Sequence, residues 1–284
     1  MPIEHISDTA RWVAVYRAME TDRPDALFRD PYARRLAGER GEEIVNTMRR
    51  GRATAWAMIV RTQVLDEMIL DAISNRGIGQ VVNLAAGLDT RPWRLALPSA
   101  LQWIDVDLPG ILNYKQEELR DATPVCAYRA IAADLTDAVV RASVLAEVSA
   151  GGIDALVITE GLLVYLTGEQ VGGLATALHE TSVVKLWLTD LAGPRLLQIM
   201  NKYWGREARA GSAPFQFAPA EGTAFFEPFG WRESSFRSAI EEARRLNREM
   251  NYMWLYRILS VLSTARRREE IRRMSGMVML ERKP

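Results

Sequence analysis

The chain contains few of the side chains that form disulfides and zinc sites. Its 284 residues include one cysteine, Cys126, and two histidines, His5 and His179. A single cysteine excludes an intrachain disulfide and favours a reducing location, which we expect to be the cytoplasm. A zinc site of histidines and cysteines needs more such groups, so no metal is expected, although counting alone leaves carboxylates around magnesium open. We interpret Cys126 as a small buried strand residue and not as a catalytic thiol.

A net charge and a long apolar run are also absent. Lysine and arginine number 36, and aspartate and glutamate number 36, so no charge excess favours nucleic acid. No segment approaches the ~18 apolar residues of a membrane span, because the most apolar one, residues 153–166, carries Asp154 and Glu160. Residues 1–5 lack the pattern of a signal peptide. We therefore expect neither a nucleic-acid nor a membrane partner, and the oligomeric state stays open.

The hydrophobic pattern predicts two kinds of structure along the chain. Residues 1–75 carry apolar positions at helical spacing, which predicts an N-terminal helical cap. Short apolar runs then alternate with helical segments, a pattern typical of a mostly parallel α/β sheet with helices on both faces. The predicted strands are residues 80–84, 101–106, 125–132, 153–159 and 183–191, and the predicted helices are residues 112–121, 138–148 and 170–181.

The last third of the chain is less regular. We predict a lid insertion at about residues 194–230, of which residues 211–228 are rich in glycine, proline and phenylalanine. A helix over residues 241–273 and a closing strand at residues 277–281 follow. We expect the cap and the cofactor-binding α/β part, residues 76–284, to form one domain.

Residues 81–92 carry the first chemical signal. A predicted strand runs into the small residues Ala85, Ala86 and Gly87, and a helix then opens with Thr90 as its cap and Pro92 in its first turn. Small residues let a ligand approach the backbone, and free N–H groups at a helix start favour a polar or anionic partner.

Acidic residues end successive predicted strands beside this turn. Asp107 closes the second strand, where a carboxylate can accept hydrogen bonds from both hydroxyls of a ribose, and Asp105 is the alternative for that role. Asp134 ends the third strand and Glu160 the fourth. Each acid alone could equally cap a helix or lie on the surface. Together they favour a nucleoside that carries positive charge, such as S-adenosylmethionine, over a pyrophosphate.

Six short segments form a specific combination, namely residues 23–33 (RPDALFRDPYA), the pair Arg61-Thr62, and residues 83–91 (NLAAGLDTR), 106–109 (VDLP), 133–135 (ADL) and 159–166 (TEGLLVYL). Together they resemble the leucine carboxyl methyltransferase family, and more narrowly its bacterial branch of O-methyltransferases linked to polyketide biosynthesis. The resemblance covers residues 10–190. It implies a class I methyltransferase fold, which is Rossmann-like, with a helical cap and S-adenosylmethionine as the cofactor.

The resemblance also implies a role for each matching site residue. The implied cofactor contacts are the methionine carboxylate for Arg61, the methionine chain for Ala85, Ala86 and Gly87, the ribose for Asp107, the adenine for Asp134 and Leu135, and the methionine amino group for Glu160. The sequence departs from the family at Ala85, a position where the family usually has glycine.

The expected reaction is methyl transfer to a carboxylate or hydroxyl oxygen of a small molecule, such as a polyketide or another aromatic metabolite. The protein would mainly supply alignment and a dry pocket, and a carboxylate acceptor needs no general base. His179 lies at helical spacing and is interpreted as structural. No catalytic residue is assigned; the candidates for positioning the acceptor are Tyr165, Tyr16, Arg17, Tyr203 and Trp204, with Phe215, Phe217, Phe225 and Phe226 in the lid.

Three alternatives stay open at this point. A protein C-terminal carboxyl methyltransferase would need a broad, open acceptor cleft instead of an aromatic-walled pocket. An NAD-dependent oxidoreductase is disfavoured by the acids Asp134 and Glu160 and by the lack of a further glycine near Asp89. A catalytically silent cofactor-binding protein is the third alternative, because of Ala85, and a methyl-transfer assay would exclude it.

The first prediction concerns metal dependence. We expect the rate of methyl transfer to be unchanged by EDTA, because the sulfonium is already a strong electrophile and the chain has few histidine and cysteine ligands. The measurement is an initial rate with and without chelator. A loss of turnover that only a divalent ion restores would contradict the metal-free mechanism.

Overall fold

A computed structural model describes residues 8–47, 51–210, 213–250 and 264–283. These residues contain a sheet of seven strands in the order β3-β2-β1-β4-β5-β7-β6. The strands are β1 (Gln80–Leu84), β2 (Gln102–Asp107), β3 (Ala127–Ala132), β4 (Ala155–Thr159), β5 (Val184–Ala192), β6 (Trp231–Ser238) and β7 (Ser275–Arg282).

Strands β1 to β5 pair in parallel, and β7 runs antiparallel between β5 and β6. The strand order reverses between β1 and β4, which is the place where open α/β sheets bind their ligands. The five predicted parallel strands agree with β1 to β5 to within two residues at each end. The prediction of a mostly parallel, helix-covered sheet is therefore confirmed.

Helices cover both faces of the sheet and form the cap. Their bounds are α1 (Asp8–Thr21), α2 (Ala33–Thr47), α3 (Ala55–Asn75), α4 (Arg91–Arg94), α5 (Pro109–Glu118), α6 (Ala138–Ser149), α7 (Gly168–Glu180), α8 (Pro194–Ala210), α9 (Ala239–Arg245) and α10 (Ala265–Arg272), with 3-10 turns at Arg52–Thr54, Leu163–Tyr165 and Gly222–Phe229. Within the described ranges, no helix combines the length and apolar character that a bilayer crossing requires.

Alternate residues of each central strand point to two separate cores. Val81 packs with α3 and α9 on one face, whereas its neighbour Val82 packs with α6 and α7 on the other. Both residues are fully buried, as are all five residues of β4. Burial on both faces explains why these strands read as continuous apolar runs in the sequence.

The N-terminal cap has a third core of its own. Tyr16 of α1, Leu36 of α2 and Ile59 near the start of α3 are all buried in it. The remainder of α3 packs on the sheet, so one helix belongs both to the cap and to the α/β layers. The cap boundary at residue 75 therefore stays a prediction, since α3 joins the two parts without a linker.

The C-terminal third differs from the sequence prediction. Strand β6 was missed, because it lies at the edge of the sheet and its polar residues lack an apolar run. The single helix over residues 241–273 is wrong: α9 ends at Arg245, and Asn247 takes the left-handed backbone conformation with φ of 53°. Residues 251–263 lie outside the described part of the chain, and α10 begins at Ala265.

Asp105 of β2 and Lys115 of α5 form a fully buried ion pair. The Lys115 Nζ donates to Asp105 Oδ2 over 2.6 Å, and the Tyr128 hydroxyl donates to the same oxygen over 2.9 Å. The Trp103 Nε1 donates to Asp105 Oδ1 over 2.9 Å. The buried Asp105 carboxylate therefore binds protein groups of the core, and the alternative that assigned it to a ribose is wrong.

This pair yields a stability prediction. Asp105→Ala would leave the Lys115 ammonium buried without its partner, so the free energy of unfolding should fall by ~3–5 kcal/mol. Urea denaturation of both proteins measures the change. The control Asp154→Ala removes an exposed carboxylate 3.5 Å from Lys185 and should cost less than ~1 kcal/mol. Equal stability of Asp105→Ala and the control would contradict the prediction.

Candidate active site

A cavity of about 1090 Å³ lies at the carboxyl ends of the parallel strands, beside the reversal point of the sheet. Open α/β sheets place their ligands at this position. Every residue that the sequence analysis assigned to the cofactor lines it, as do the five acceptor candidates outside the lid. These are Tyr16, Arg17, Arg61, Ala85, Ala86, Gly87, Asp107, Asp134, Leu135, Glu160, Tyr165, Tyr203 and Trp204.

The turn after β1 is held in a conformation that favours glycine. Ala85 has φ of 55° and Gly87 has φ of 54°. Left-handed backbone costs a residue with a Cβ ~1–2 kcal/mol, and alanine adds the smallest such side chain. The Ala86 amide donates to the Val106 carbonyl over 3.2 Å, which ties the turn to β2. The backbone conformation thus explains the glycine usual in the resembling family, and Ala85 retains it at some strain.

Asp107 clamps this turn from the end of β2. Its Oδ2 accepts a hydrogen bond of 2.6 Å from the Gly87 amide, and its Oδ1 accepts one of 2.7 Å from the Leu108 amide. Burial raises the pKa of the Asp107 carboxyl, and the two amides oppose that rise. Each carboxylate oxygen has a second lone pair, so Asp107 can still accept hydrogen bonds from two neighbouring hydroxyls.

Asp134 and Leu135 follow β3 at the far edge of the cavity. Asp134 is exposed, and its Oδ1 accepts hydrogen bonds from the Thr136 amide over 2.9 Å and the Thr136 hydroxyl over 2.7 Å. The hydroxyl and amide of Thr136 lower the pKa of Asp134. Leu135 is half-buried and offers an apolar surface to the cavity. A carboxylate beside an apolar side chain can bind an amino-substituted aromatic base.

Glu160 follows β4 and connects two arginines. The Arg61 Nε donates to Glu160 Oε1 over 2.9 Å, and the Arg91 Nη1 donates to Glu160 Oε2 over 2.8 Å. Burial opposes ionisation of Glu160, but Arg91 and Arg61 hold its pKa below the ordinary value. The Arg91 Nη1 also donates to Asp89 over 2.7 Å, and the Arg61 Nη1 to Asp190 over 3.2 Å. On this side of the cavity, acidic and basic side chains therefore alternate in a row, in the order Asp89, Arg91, Glu160, Arg61 and Asp190.

Three members of that row were not assigned a role from the sequence. Asp89 and Arg91 belong to the segment that carries the resemblance, but the pattern alone does not show that they pair. Asp190 lies near the end of β5, so the rule that identified Glu160 also applies to it. The predicted helix cap is wrong, because the Thr90 hydroxyl donates to Asp30 over 2.6 Å and makes no cap.

Aromatic side chains and helix α8 form another wall of the cavity. The Tyr165 hydroxyl is hydrogen-bonded to Thr9, and its ring centroid lies 5.6 Å from that of Phe215. Burial raises the pKa of Tyr165 to about 12, so its hydroxyl stays protonated at neutral pH. Tyr203 and Trp204 lie on α8, and Trp204 packs with Trp12 against Ile44 of the cap. The wall is thus continuous from α8 to α1.

Tyr16 and Arg17 line the cavity, but their polar atoms bind the protein. The Tyr16 hydroxyl donates to the Gly51 carbonyl over 2.7 Å. The Arg17 guanidinium donates to Asp30 over 2.8 Å and to the Leu88 carbonyl over 2.6 Å. These contacts attach the cap to the turn after β1. A role in positioning an acceptor stays a prediction for both residues.

Several lid aromatics lie elsewhere. Phe215 lines the cavity, whereas Phe217 and Phe226 are buried in the core below, and the half-buried Phe225 packs against that core. The ring centroid of Phe226 lies 5.2 Å from that of Trp187. The expectation that these three bind an acceptor is therefore wrong, since burial against the sheet satisfies their apolar surface.

The remaining candidates for chemistry agree with the structural interpretation. The His179 ring packs edge-on against Trp231 at 6.0 Å and lies outside the cavity lining. Cys126 is buried as predicted, although it lies one residue before β3 and not within the strand, and burial raises the pKa of its thiol to about 11. In the described residues, no three carboxylate, histidine or cysteine groups lie together in a way that could hold a metal ion.

Several known proteins resemble this chain in sequence, and others resemble it in fold. Residues 10–179 match the sequence model of the leucine carboxyl methyltransferase family. A protein of Streptomyces coelicolor is 36% identical over 188 residues, which are 61% of this chain and 64% of that protein. A Frankia alni protein is 30% identical over 246 residues, which are 80% of this chain and 83% of that protein. Both carry the provisional name of an S-adenosyl-L-methionine-dependent methyltransferase, and this chain spans just under two thirds of the first.

Solved structures agree on the architecture. A DUF574-family protein of Streptomyces avermitilis has a TM-score of 0.61, with 13% identity over 97% of each chain. A Thermobifida fusca protein provisionally named a methyltransferase has a TM-score of 0.58, with 14% identity over 100% of this chain and 97% of that one. The class I methyltransferase fold, which the sequence resemblance implied, is thus confirmed.

The site yields a binding prediction. Asp107→Ala removes the carboxylate at the turn and Arg61→Ala removes the cation beside Glu160, so each should weaken binding of S-adenosylhomocysteine at least tenfold, ~1.4 kcal/mol. Calorimetric titration measures both affinities. The control Arg35→Ala breaks an exposed ion pair with Asp121 away from the cavity and should leave the affinity unchanged. Unchanged affinity in both site variants would refute the assignment.

Proposed function

The chain belongs to the leucine carboxyl methyltransferase family, and we propose that it transfers a methyl group from S-adenosylmethionine to a carboxylate or hydroxyl oxygen of a small aromatic acceptor. One observation carries the proposal. Asp107 and Glu160 end the two strands that flank β1, and both face the cavity that the turn Ala85–Gly87 enters. Two carboxylates on either side of a small-residue turn suit a nucleoside that bears positive charge.

The residues of the cavity fit this cofactor in chemistry and in order. Asp107 would hold the ribose hydroxyls, and Asp134 with Leu135 would hold the adenine. Arg61 would bind the methionine carboxylate and Glu160 the ammonium. The paired state of these charges supports the assignment, because a zwitterion can insert between an arginine and a carboxylate and replace their mutual contacts with its own. When bound, the cofactor supplies an electrophilic methyl group on its sulfonium.

The acceptor is assigned from the apolar part of the cavity lining. Leu162, Ile199, Met200 and Phe215 line it together with Tyr165. Apolar side chains with few polar atoms bind flat apolar ligands and exclude water from the reacting atoms. A polyketide or a related aromatic metabolite has this character, and the provisional names of the relatives leave the acceptor open.

One feature of the cavity wall favours a small molecule over the carboxyl terminus of a protein. Trp204 and Trp12 pack on the same side chain, Ile44, so α8 is joined to the cap along one wall of the cavity. A protein terminus would need that wall to be open, because a chain of several residues must enter with its backbone. A continuous aromatic wall suits a small acceptor that packs against it.

The residues near Tyr165 support an acceptor that arrives ionised. The Tyr165 hydroxyl stays protonated at neutral pH, and Glu160 and Asp190 are both paired with Arg61. None of these groups is poised to remove a proton. A carboxylate, or a phenol acidic enough to ionise, needs none, so the chain has only to align the acceptor oxygen and exclude water.

The proposal predicts a ligand and an acceptor class. S-Adenosylmethionine should bind in calorimetry and NAD should not. In a methyl-transfer assay, aromatic carboxylic acids and acidic phenols should be turned over in preference to a peptide that ends in leucine. Binding of NAD alone, or preferred methylation of the peptide, would contradict the proposal.

A substitution in the aromatic wall tests acceptor binding independently of cofactor binding. Trp204→Ala should raise KM for the acceptor about tenfold and leave the cofactor affinity within about twofold, since it removes an aromatic wall and no charge. Gln198→Ala, on the exposed side of α8 and outside the cavity lining, is the matched control. A KM shift in the control as large as that in Trp204→Ala would contradict the assignment of this wall.

A further inference from the structure

We propose that Asp190 is a positioning residue, which holds Arg61 and the Glu160-Gly161 turn in the geometry that receives the amino-acid end of the cofactor. This inference rests on the proposed function. It adds a residue that the sequence pattern left without a role.

The sheet register brings Asp190 to this place. Thr159 of β4 is paired with Thr189 of β5, so the next residues of the two strands, Glu160 and Asp190, emerge side by side at the carboxyl edge. On its other side Asp190 is paired with Met277 of β7, which fixes its backbone within the sheet. A side chain on a paired strand can position its neighbours more closely than one on a loop.

The two oxygens of Asp190 bind two different elements. Its Oδ1 accepts a hydrogen bond of 2.6 Å from the Gly161 amide. Its Oδ2 accepts one of 3.2 Å from the Arg61 Nη1. Gly161 has φ of 64°, a conformation that a residue with a Cβ rarely adopts, and this turn directs Glu160 into the cavity. One carboxylate thus sets both the turn and the guanidinium.

The guanidinium of Arg61 lies directly on the turn. A Cβ added to Gly161 would come within 3.2 Å of the Arg61 Nη1, closer than side chains normally pack. Glu160 binds the same guanidinium from another side, through Nε at 2.9 Å. An arginine has five N–H donors in a rigid plane, so two carboxylates that bind two of its nitrogens fix its orientation. The remaining donors can then form a preset site for a ligand carboxylate.

Asp190 acts through Arg61 and does not itself serve as the ammonium ligand. Its two oxygens connect the Arg61 guanidinium to the Gly161 amide, whereas Glu160 accepts hydrogen bonds from two arginine side chains. A residue that bound the ammonium directly would matter for any ligand with that group. A residue that positions Arg61 would matter only for a ligand with the carboxylate.

The experiment uses two ligands that differ by this one group. S-Adenosylhomocysteine has both the ammonium and the carboxylate, and its decarboxylated analogue, S-adenosyl-3-thiopropylamine, has only the ammonium. Asp190→Asn keeps an oxygen for the Gly161 amide but removes the negative charge beside Arg61. We expect this variant to bind S-adenosylhomocysteine at least tenfold more weakly and the decarboxylated analogue within about twofold of the unaltered protein, as measured by calorimetry.

Two further variants make the readout specific. Glu233→Gln removes a carboxylate of similar exposure that is paired with Arg273, outside the cavity, and should change neither affinity. Asp190→Ala also removes the acceptor of the Gly161 amide, so the turn that carries Glu160 loosens and the decarboxylated analogue should weaken as well. The melting temperature of each ligand-free variant verifies that the protein remains folded.

The possible outcomes separate the inference from the function on which it rests. Equal weakening of both ligands in Asp190→Asn would overturn the positioning role and indicate a direct ammonium contact. Unchanged binding of both ligands would also overturn it. If the unaltered protein binds neither ligand, the proposed function fails, and the inference fails with it.

Discussion

The polar end of the cavity depends on one carboxylate, Glu160, that is shared by two arginines. Arg61 comes from a helix that links cap and sheet, and Arg91 comes from the short helix after β1. A buried charge must be paired, so these distant parts of the chain have to meet at the end of β4. The same requirement that stabilises the site therefore sets its geometry before any ligand binds. A preset site lowers the cost of ordering side chains on binding.

The cavity has an acidic wall and an aromatic wall because the two walls come from different layers of the fold. Strand ends contribute the acids, since the carboxyl edge of a parallel sheet is where side chains leave the core and meet solvent. Helices α1 and α8 contribute the aromatic wall, because their apolar faces have no sheet to cover at this edge. A cofactor that carries charged groups and an acceptor with a flat aromatic body are the partners that this division suits.

Much of this architecture could be predicted from the sequence, and the errors have physical causes. Apolar runs buried on both faces made β1 to β5 recognisable, and the acids after them indicated Asp107 and Glu160. Strand β6 was not predicted, because a strand at the edge of a sheet does not require an apolar run. Phe226 was assigned to a lid because exposure cannot be read from an aromatic residue alone, and the fold buries it against Trp187.

The sequence by itself determined the fold class and the position of the acidic rim, because periodicity and strand-end residues are local properties of the chain, and its short motifs indicated the family by resemblance. Only the tertiary structure decided which charges pair. Arg61 and Asp190 are 129 residues apart, and no local pattern relates them. They meet because the register of β4 and β5 and the docking of α3 bring them together, and the energy of a buried pair depends on that distance.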